Sequence, residues 1–340
     1  MDELEFRLLN DFQRGFPLCR RPYETVAKSL GRPEPEIIAT LEALRSSGKL
    51  SRVGATLAPG RIGAATLAAM AVPRERLGPV ARLVSDFPEV NHNYEREHDY
   101  NLWFVVTAPD RSRVDEVLHA IETEARCGRV LSLPMIEPYH IDLGFDLRQH
   151  GEAPQRTASR GGEARAIALT AAERDLVIAL QEGLALVPEP YAELAQRAGL
   201  PEADVIATLS RWLKEGVINR MGTIVYHRQL GFRANAMVVW DVPDREVAEA
   251  GRRIAQLPEV TLCYRRERRP PHWRYNLYCM IHGHSRTQVL AQIAGMDARC
   301  ELVKYPFEVL FSRRCFKQRG ARYLGGGGAG REVEAGVAHG

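Results

Sequence analysis

The chain is two copies of one unit. When Pro22 is laid on Pro190, "RPYETVAKSLGRPEPEIIATLEALRSSGKLSRVGAT" (from Arg21) covers "EPYAELAQRAGLPEADVIATLSRWLKEGVINRMGT" (from Glu189) without a gap. "IATL" recurs at Ile38 and Ile206, Arg52 falls on Arg220, and Gly54 on Gly222. After a short slip "FPEVNHNYERE" matches "LPEVTLCYRRE", and "YNLWFVV" then matches "YNLYCMI" after extra residues in the second copy. Each copy is roughly 150 residues, the size of a domain or two, so the chain is a duplication and not a solenoid. Between the copies "RQHGEAPQRTASRGGEAR" (from Arg148) is polar, Gly-rich and aperiodic, as a linker is. The tail "GGGGAGREVEAGVAHG" has no means of burying a core and is expected to be disordered.

Each copy has two parts. "DELEFRLLNDFQRG" sets Leu4, Leu8, Leu9 and Phe12 on one helical face. "PYETVAKSLG" and "PEPEIIATLEALRSSG" are short helices with Pro near their starts and Gly after their ends. A strand pair is expected about "KLSRVGATLAPGRIG", so three helices and a small wing make a winged helix-turn-helix. The second part alternates strand, helix, two strands, helix, strand, from "AATLAAMAV" to "RVLSLPMIE", and again from "NAMVVWDV" to "CELVKYPFEVL". That βαββαβ order is ferredoxin-like. The fold class is therefore α+β in tandem. Winged helices are expected over 1–62 and 168–230, ferredoxin-like domains over 63–147 and 231–324, a linker over 148–167 and a tail over 325–340.

Bulk properties exclude several classes. The 340 residues are 45% hydrophobic and 26% charged, an ordinary globular balance, and the net charge of +3 argues neither for nor against nucleic acid. No apolar run approaches the roughly 20 residues that span a bilayer, and "MDELEFRLLNDF" is no signal peptide. The six cysteines show no C-x-x-C pair and no His at zinc-ligand spacing. A reduced, cytoplasmic protein without a structural metal is expected.

The chemistry concentrates in the two hairpins of the ferredoxin-like parts. "NHNYEREHDYNLWFVV" (from Asn91) crowds two His, two Tyr, an Arg and three acids against an apolar strand. Alternate strand residues share a face, so His92, Tyr94 and Arg96 point one way, and in the second copy Leu262, Tyr264, Arg266 and Arg268 do the same. From Arg265 to Arg274 there are five Arg and one Glu, with His272 and Trp273 among them. A charge run is ordinarily a solvated face. Here Pro270-Pro271 stiffens the turn, and Tyr264, Trp273 and Tyr275 interleave aromatic surface with the guanidinium groups. A rigid, aromatic, cationic surface suits a flat polyanion, and arginine's planar fork can hold carboxylates bidentately.

A winged helix followed by a ferredoxin-like domain resembles the Lrp/AsnC regulators, in which the first domain reads DNA and the second binds a small effector and dimerises. The helices that would enter DNA begin "RPEPEIIATLEALR" and "LPEADVIATLSRWLK". Their first turns carry Glu34 and Glu36, then Glu202 and Asp204. Acids there complement a helix dipole, but they oppose the phosphate contacts on which DNA binding relies. Functional DNA binding is not expected.

"HNYEREHDYNLWF" and "CYRRERRPPHWRYNLYCMIHG" resemble the signatures of the two related subunits of the siroheme decarboxylase family, and the order of the copies resembles a natural fusion of its D-type and L-type subunits. The resemblance implies a substrate, siroheme, with eight carboxylates and its own iron, and no further cofactor. The C12 and C18 acetates would lose CO2 and become methyls, on the way to heme d1 or by an alternative heme route. His92 and His98 are then candidate proton donors, because histidine titrates nearest neutral pH. His272 is the candidate of the second copy, where Leu262 replaces His92, and Tyr94 and Tyr264 are matched candidates for a hydrogen bond. His92 or His98 could instead ligate the substrate iron. Arg96, Arg265, Arg266, Arg268 and Arg274, with Tyr100, Trp103, Trp273 and Tyr275, form the expected substrate-binding set. An ion pair on the reacting carboxylate would stabilise the ground state. Most arginines should therefore hold spectator carboxylates, while the departing acetate faces an apolar wall such as Trp103 or Trp273. Expected partners are the two halves of the chain as a pseudo-dimer, with a homodimer and further subunits of the family left open. A transcription regulator sensing a tetrapyrrole or amino acid, and a heme carrier without turnover, are the alternatives.

Overall fold

A computed structural model describes residues 1–141, 144, 147 and 166–325. The linker proper and all but the first residue of the tail lie outside the described residues.

The first copy opens with three helices, α1 (Glu3–Asn10), α2 (Pro22–Leu30) and α3 (Glu34–Ser46), followed by strand β1 (Leu50–Leu57). Its second part runs β2 (Ala64–Met70), α4 (Leu77–Asp86), β3 (Val90–Arg96), β4 (Leu102–Ala108), α5 (Arg111–Ala125) and β5 (Leu131–Ile141). The second copy repeats the list: α6 (Ala171–Gln181), α7 (Pro190–Ala198), α8 (Glu202–Lys214), β6 (Ile218–Val225), β7 (Ala234–Trp240), α9 (Val247–Ala255), β8 (Val260–Arg266), β9 (Leu277–Gly283), α10 (Arg286–Cys300) and β10 (Phe307–Gln318). The stops are shared as well, since α2 ends on Gly31 and α7 on Gly199, both at φ +64°, a left-handed cap that glycine adopts freely.

One expectation about the wing needs correction. β1 finds no partner strand in its own copy; it pairs antiparallel with β6 of the other copy. The segment after Leu57 is a turn that leads into β2 and does not return alongside β1. Each single wing strand would leave an open edge, and pairing the two satisfies both. The helical parts fuse behind that ribbon into one apolar core in which Tyr23, Ile37 and Leu41 pack with Leu176, Tyr191 and Trp212. Tyr23 Oη donates to the Ala185 carbonyl and Tyr191 Oη to the Pro17 carbonyl, each at 2.9 Å, so each copy anchors the other.

The ferredoxin-like halves join in the same way. A four-stranded sheet β3-β4-β2-β5 and its copy β8-β9-β7-β10 meet edge to edge, β5 on β8 and β10 on β3, closing an eight-stranded barrel. Helices α4 and α5 cover one half through an apolar layer that includes Val84, Phe104 and Ile121; α9 and α10 cover the other through Trp240, Ile254 and Ile293. The barrel interior is a fourth cluster, with Leu67, Trp103, Leu133, Met237, Tyr264, Trp273, Tyr278 and Leu310. Eight strands leave a bore just wide enough for side chains to fill. Around the closed barrel β3 and β8 run the same way, so both hairpins emerge at one end and the starts of both strands face the helical layer at the other. The segment after β10 ties the layers together: Thr107 Oγ1 donates to the Arg322 carbonyl at 2.9 Å, and Gln181 bonds the backbone of Tyr323 and Leu324.

Candidate active site

The alternation along β3 and β8 sends His92, Tyr94 and Arg96, and likewise Leu262, Tyr264 and Arg266, toward the bore, as their spacing requires. The neighbouring Asn93 points outward, donating from Nδ2 to the Ala81 carbonyl of α4 at 2.9 Å. Along β3, His92 and Arg96 are separated by about 13 Å at the usual strand rise. The expected site residues consequently fall into three groups and not one patch.

The first group lies at the end facing the helical layer. His92 and Tyr94 stack at 6.3 Å between ring centroids. His92 Nδ1 lies 2.9 Å from Asn91 Oδ1, while Asn91 Nδ2 donates to Thr107 Oγ1 at 3.3 Å. That network makes Nδ1 the protonated nitrogen and leaves Nε2 with its lone pair. The ring keeps some accessible surface, yet desolvation by the surrounding protein, helped by the Arg52 charge, pulls its pKa down to about 4. His92 thus stands beside Tyr94 on the inward face of β3 and is neutral at pH 7. Tyr94 Oη donates to Gln318 Oε1 at 3.0 Å, and burial pushes its pKa upward, so the phenol stays protonated.

The second group is mid-barrel and nearly two-fold symmetric. Arg96 Nη1 donates to the Leu310 carbonyl at 3.0 Å; Arg266 Nη1 donates to the Leu133 carbonyl at 2.6 Å. Arg96 sits 5.9 Å from the Tyr94 ring centroid and Arg266 4.4 Å from that of Tyr264, close enough for cation–π attraction. Among the described residues neither guanidinium has an acid partner, and Nε of both is buried without a hydrogen bond. Burial lowers the Arg96 pKa to about 10, still charged at neutral pH.

The third group closes the hairpin end. Trp273 is 2% exposed. Its ring meets His98 at 5.3 Å, Tyr100 at 5.9 Å, Trp103 at 5.1 Å and Tyr275 at 5.0 Å, all edge-on. Trp273 Nε1 donates to Tyr278 Oη, and Trp103 Nε1 to the Tyr100 carbonyl, each at 2.6 Å. The Tyr100 backbone N–H donates to His98 Nδ1 at 2.9 Å, which places the His98 proton on Nε2. Burial lowers the His98 pKa against the opposing charges of Glu308 and Asp99.

Two features of the second hairpin differ from the sequence expectation. The turn that carries Trp273 inward leaves His272 exposed, outside the barrel that holds Tyr264 and Arg266. The cationic run is also largely neutralised. Arg268 bonds Asp241 at 2.9 Å and Asp244 at 2.7 Å, Arg274 bonds Asp241 at 2.7 Å, Arg265 bonds Asp244 at 2.9 Å, and Arg269 pairs with Glu267 at 2.5 Å. Burial opposes ionisation of Asp241, but the bonds from Arg268 and Arg274 prevail and hold its carboxyl below the usual range. Of the five arginines only Arg266 turns into the barrel without an acid. Asp241 and Asp244 were legible as two acids in "WDVPDRE", yet nothing local linked them to a turn some thirty residues on. Gln318, Tyr278, Leu133 and Leu310 also reach the site only through the pairing of distant strands.

Two AsnC-like sheets closed into one barrel, with helix-turn-helix units fused above it, define a duplicated member of the AsnC/Lrp structural class. The family described as AsnC-like ligand binding domain matches residues 61–140 and 229–317, and the siroheme decarboxylase NirDL-like HTH domain matches 5–50 and 173–218. A siroheme decarboxylase NirDL subunit of Paracoccus denitrificans is 45% identical over 94% of this chain and 97% of its own length. A siroheme decarboxylase of Hydrogenobacter thermophilus is 31% identical over 94% of both. The crystal structure of the siroheme decarboxylase NirDL superposes with a TM-score of 0.68 at 27% identity, covering 94% of each chain; its co-complex with an iron-uroporphyrin III analogue gives 0.66. This chain belongs to the siroheme decarboxylase family.

Proposed function

We propose that the chain is an enzyme that decarboxylates siroheme, a carboxy-lyase removing CO2 from the C12 and C18 acetates to leave methyl groups. The observation that carries this reading is the pair Arg96 and Arg266. They are two guanidiniums set among aromatic rings with no acid partner among the described residues. Burying an unpaired charge is costly, and an incoming polycarboxylate would remove that cost. The paired arginines Arg265, Arg268 and Arg274 suit a different role, that of stiffening the hairpin that carries Trp273.

In the reaction the acetate C–C bond breaks, CO2 departs, and the electron pair left on the methylene is delocalised into the macrocycle until a proton arrives. Atoms and charge balance with no external oxidant, and no cofactor beyond the iron of the substrate is invoked. Arg96 and Arg266 would hold spectator carboxylates, since holding the departing one would favour the ground state. Trp103 and Trp273 supply apolar wall. His92, neutral and with a free Nε2 lone pair, is better suited to ligate the substrate iron or accept a proton than to act as an imidazolium acid at pH 7. Protonated Tyr94, stacked beside it, is the candidate proton donor. His98, whose Nδ1 lone pair accepts from the Tyr100 N–H and whose Nε2 therefore carries the proton, fits iron ligation less well. The test is anaerobic incubation of the purified protein with siroheme under reducing conditions, followed by mass spectrometry. Loss of two CO2 is expected; a tetrapyrrole that binds with unchanged mass would make the protein a carrier.

A further inference from the structure

Beside Tyr94, two arginines, Arg96 and Arg228, have no acid partner among the described residues. Arg228 lies in the short turn His227–Leu230, which leads from the second helical unit into β7. Its guanidinium has no hydrogen bond or ion pair among the described residues, and its Nε is buried. It lies within electrostatic reach of Tyr94, Arg96 and Cys315, so an arginine of the second copy stands beside the first copy's strand β3. Among the described residues Arg96 donates to the Leu310 carbonyl and to Met280 Sδ. The charged and titratable groups that act on Arg96 are Tyr264, Tyr94 and Arg228, and none is a carboxylate. Two cations therefore repel one another in desolvated surroundings, an arrangement that an anion would stabilise.

The matching turn of the first copy is not equivalent, its arginine being Arg61, one position further on. The position matching Arg228 is Gly60, with φ +74°, a left-handed conformation that an arginine would adopt only with strain. Leu262 likewise stands where the first copy has His92.

We propose that Arg228 is a carboxylate-binding residue of the tetrapyrrole site, and that with Arg96 it concentrates the grip on the substrate in the His92 half of the barrel. The proposal rests on the siroheme reading above. A carboxylate reaching between Arg228 and Arg96 would accept charge-assisted hydrogen bonds from both and cancel their repulsion, while the macrocycle lies against His92 and Tyr94.

The test uses the full chain in three variants: Arg228→Ala, Arg228→Lys, and Arg252→Ala, which removes the same charge from the exposed face of α9. Each is titrated anaerobically with siroheme and with metal-free uroporphyrin, whose eight carboxylates report acid recognition without iron. Arg228→Ala should weaken both ligands by about tenfold or more, Arg228→Lys should recover most of the loss, and Arg252→Ala should match the parent. Thermal unfolding of Arg228→Ala should be unchanged or raised, because an unbalanced charge has been removed. Unchanged affinity in Arg228→Ala, or an equal loss in Arg252→Ala, overturns the proposal. If the parent chain leaves siroheme unchanged, the decarboxylase reading fails, and the uroporphyrin titrations still decide whether Arg228 holds carboxylates.

Discussion

Gly54 and Gly222 lie directly opposite each other in the β1–β6 ribbon, and each is the other's counterpart in the repeat. The pseudo-two-fold axis of the molecule therefore passes between them. They differ in the space around them: a Cβ on Gly222 would collide with the backbone of Phe12 and Gln13, whereas one on Gly54 would lie 3.1 Å from Gly183 Cα, a tight contact that a small shift relieves. Gly222→Ala should destabilise the protein by roughly 1–3 kcal/mol, as overpacking does, and Gly54→Ala by less. Urea unfolding midpoints measure both; equal, negligible effects would mean the ribbon relaxes freely.

Trp273 joins the two hairpins through its edge-on contacts with His98, Tyr100 and Trp103 of the first, while Tyr275 and the hydrogen bond to Tyr278 fix it within its own. Trp273→Ala should cost about 3–5 kcal/mol, the usual range for a buried tryptophan. Trp273→Phe should cost clearly less. A surface-like loss below about 0.5 kcal/mol in Trp273→Ala would show that the hairpin end is not packed as described.

The depressed pKa of His92 makes stability depend on pH. Its folded pKa is about 4 against an ordinary 6.5, so between those values the unfolded chain binds the extra proton. Stability should therefore be fully present above pH 6.5 and decline as pH falls toward 4, by up to about 3 kcal/mol. His92→Gln should flatten the profile over that window. Denaturant unfolding of both proteins from pH 7 to 4 checks this, and superimposable slopes would refute it.

The two strands should fail differently on mutation. Arg266→Ala should mainly weaken siroheme binding, because it removes a charge-assisted contact worth roughly 1.5–3 kcal/mol. His92→Ala should change the optical spectrum of bound siroheme if Nε2 ligates the iron, and it should slow single turnover. Spectroscopic titrations beside single-turnover rates separate the two. A His92→Ala complex with an unchanged spectrum and a rate loss of about 10²–10⁴-fold would assign His92 to proton transfer instead.

DNA should bind weakly and with steep salt dependence. The acids expected to repel phosphate are in place at the starts of α3 and α8. There Glu34 pairs with Arg21, Glu36 with Arg32 at 3.4 Å, and Glu202 with Arg20 at 3.8 Å. These pairs occupy arginines that phosphate would otherwise attract. A footprint on a defined operator at physiological salt would contradict the expectation.

The sequence by itself determined the duplication, the βαββαβ order, the inward alternation of His92, Tyr94 and Arg96, and the repeated helix stops at Gly31 and Gly199. Each of these is set by spacing within one segment, where periodicity and backbone preference act locally. Only the tertiary structure decided that β1 pairs with β6, that four sheet edges close into one barrel, and that Arg265, Arg268 and Arg274 turn to Asp241 and Asp244 while Arg96 and Arg266 go unpaired. It also decided that Trp273 enters the bore and His272 does not, and that Arg228 of one copy comes within electrostatic reach of Tyr94 and Arg96 of the other. Edge pairing and charge pairing act through space between segments distant in the chain, and a run of arginines reads the same whether its partners are carboxylates of the protein or of a ligand.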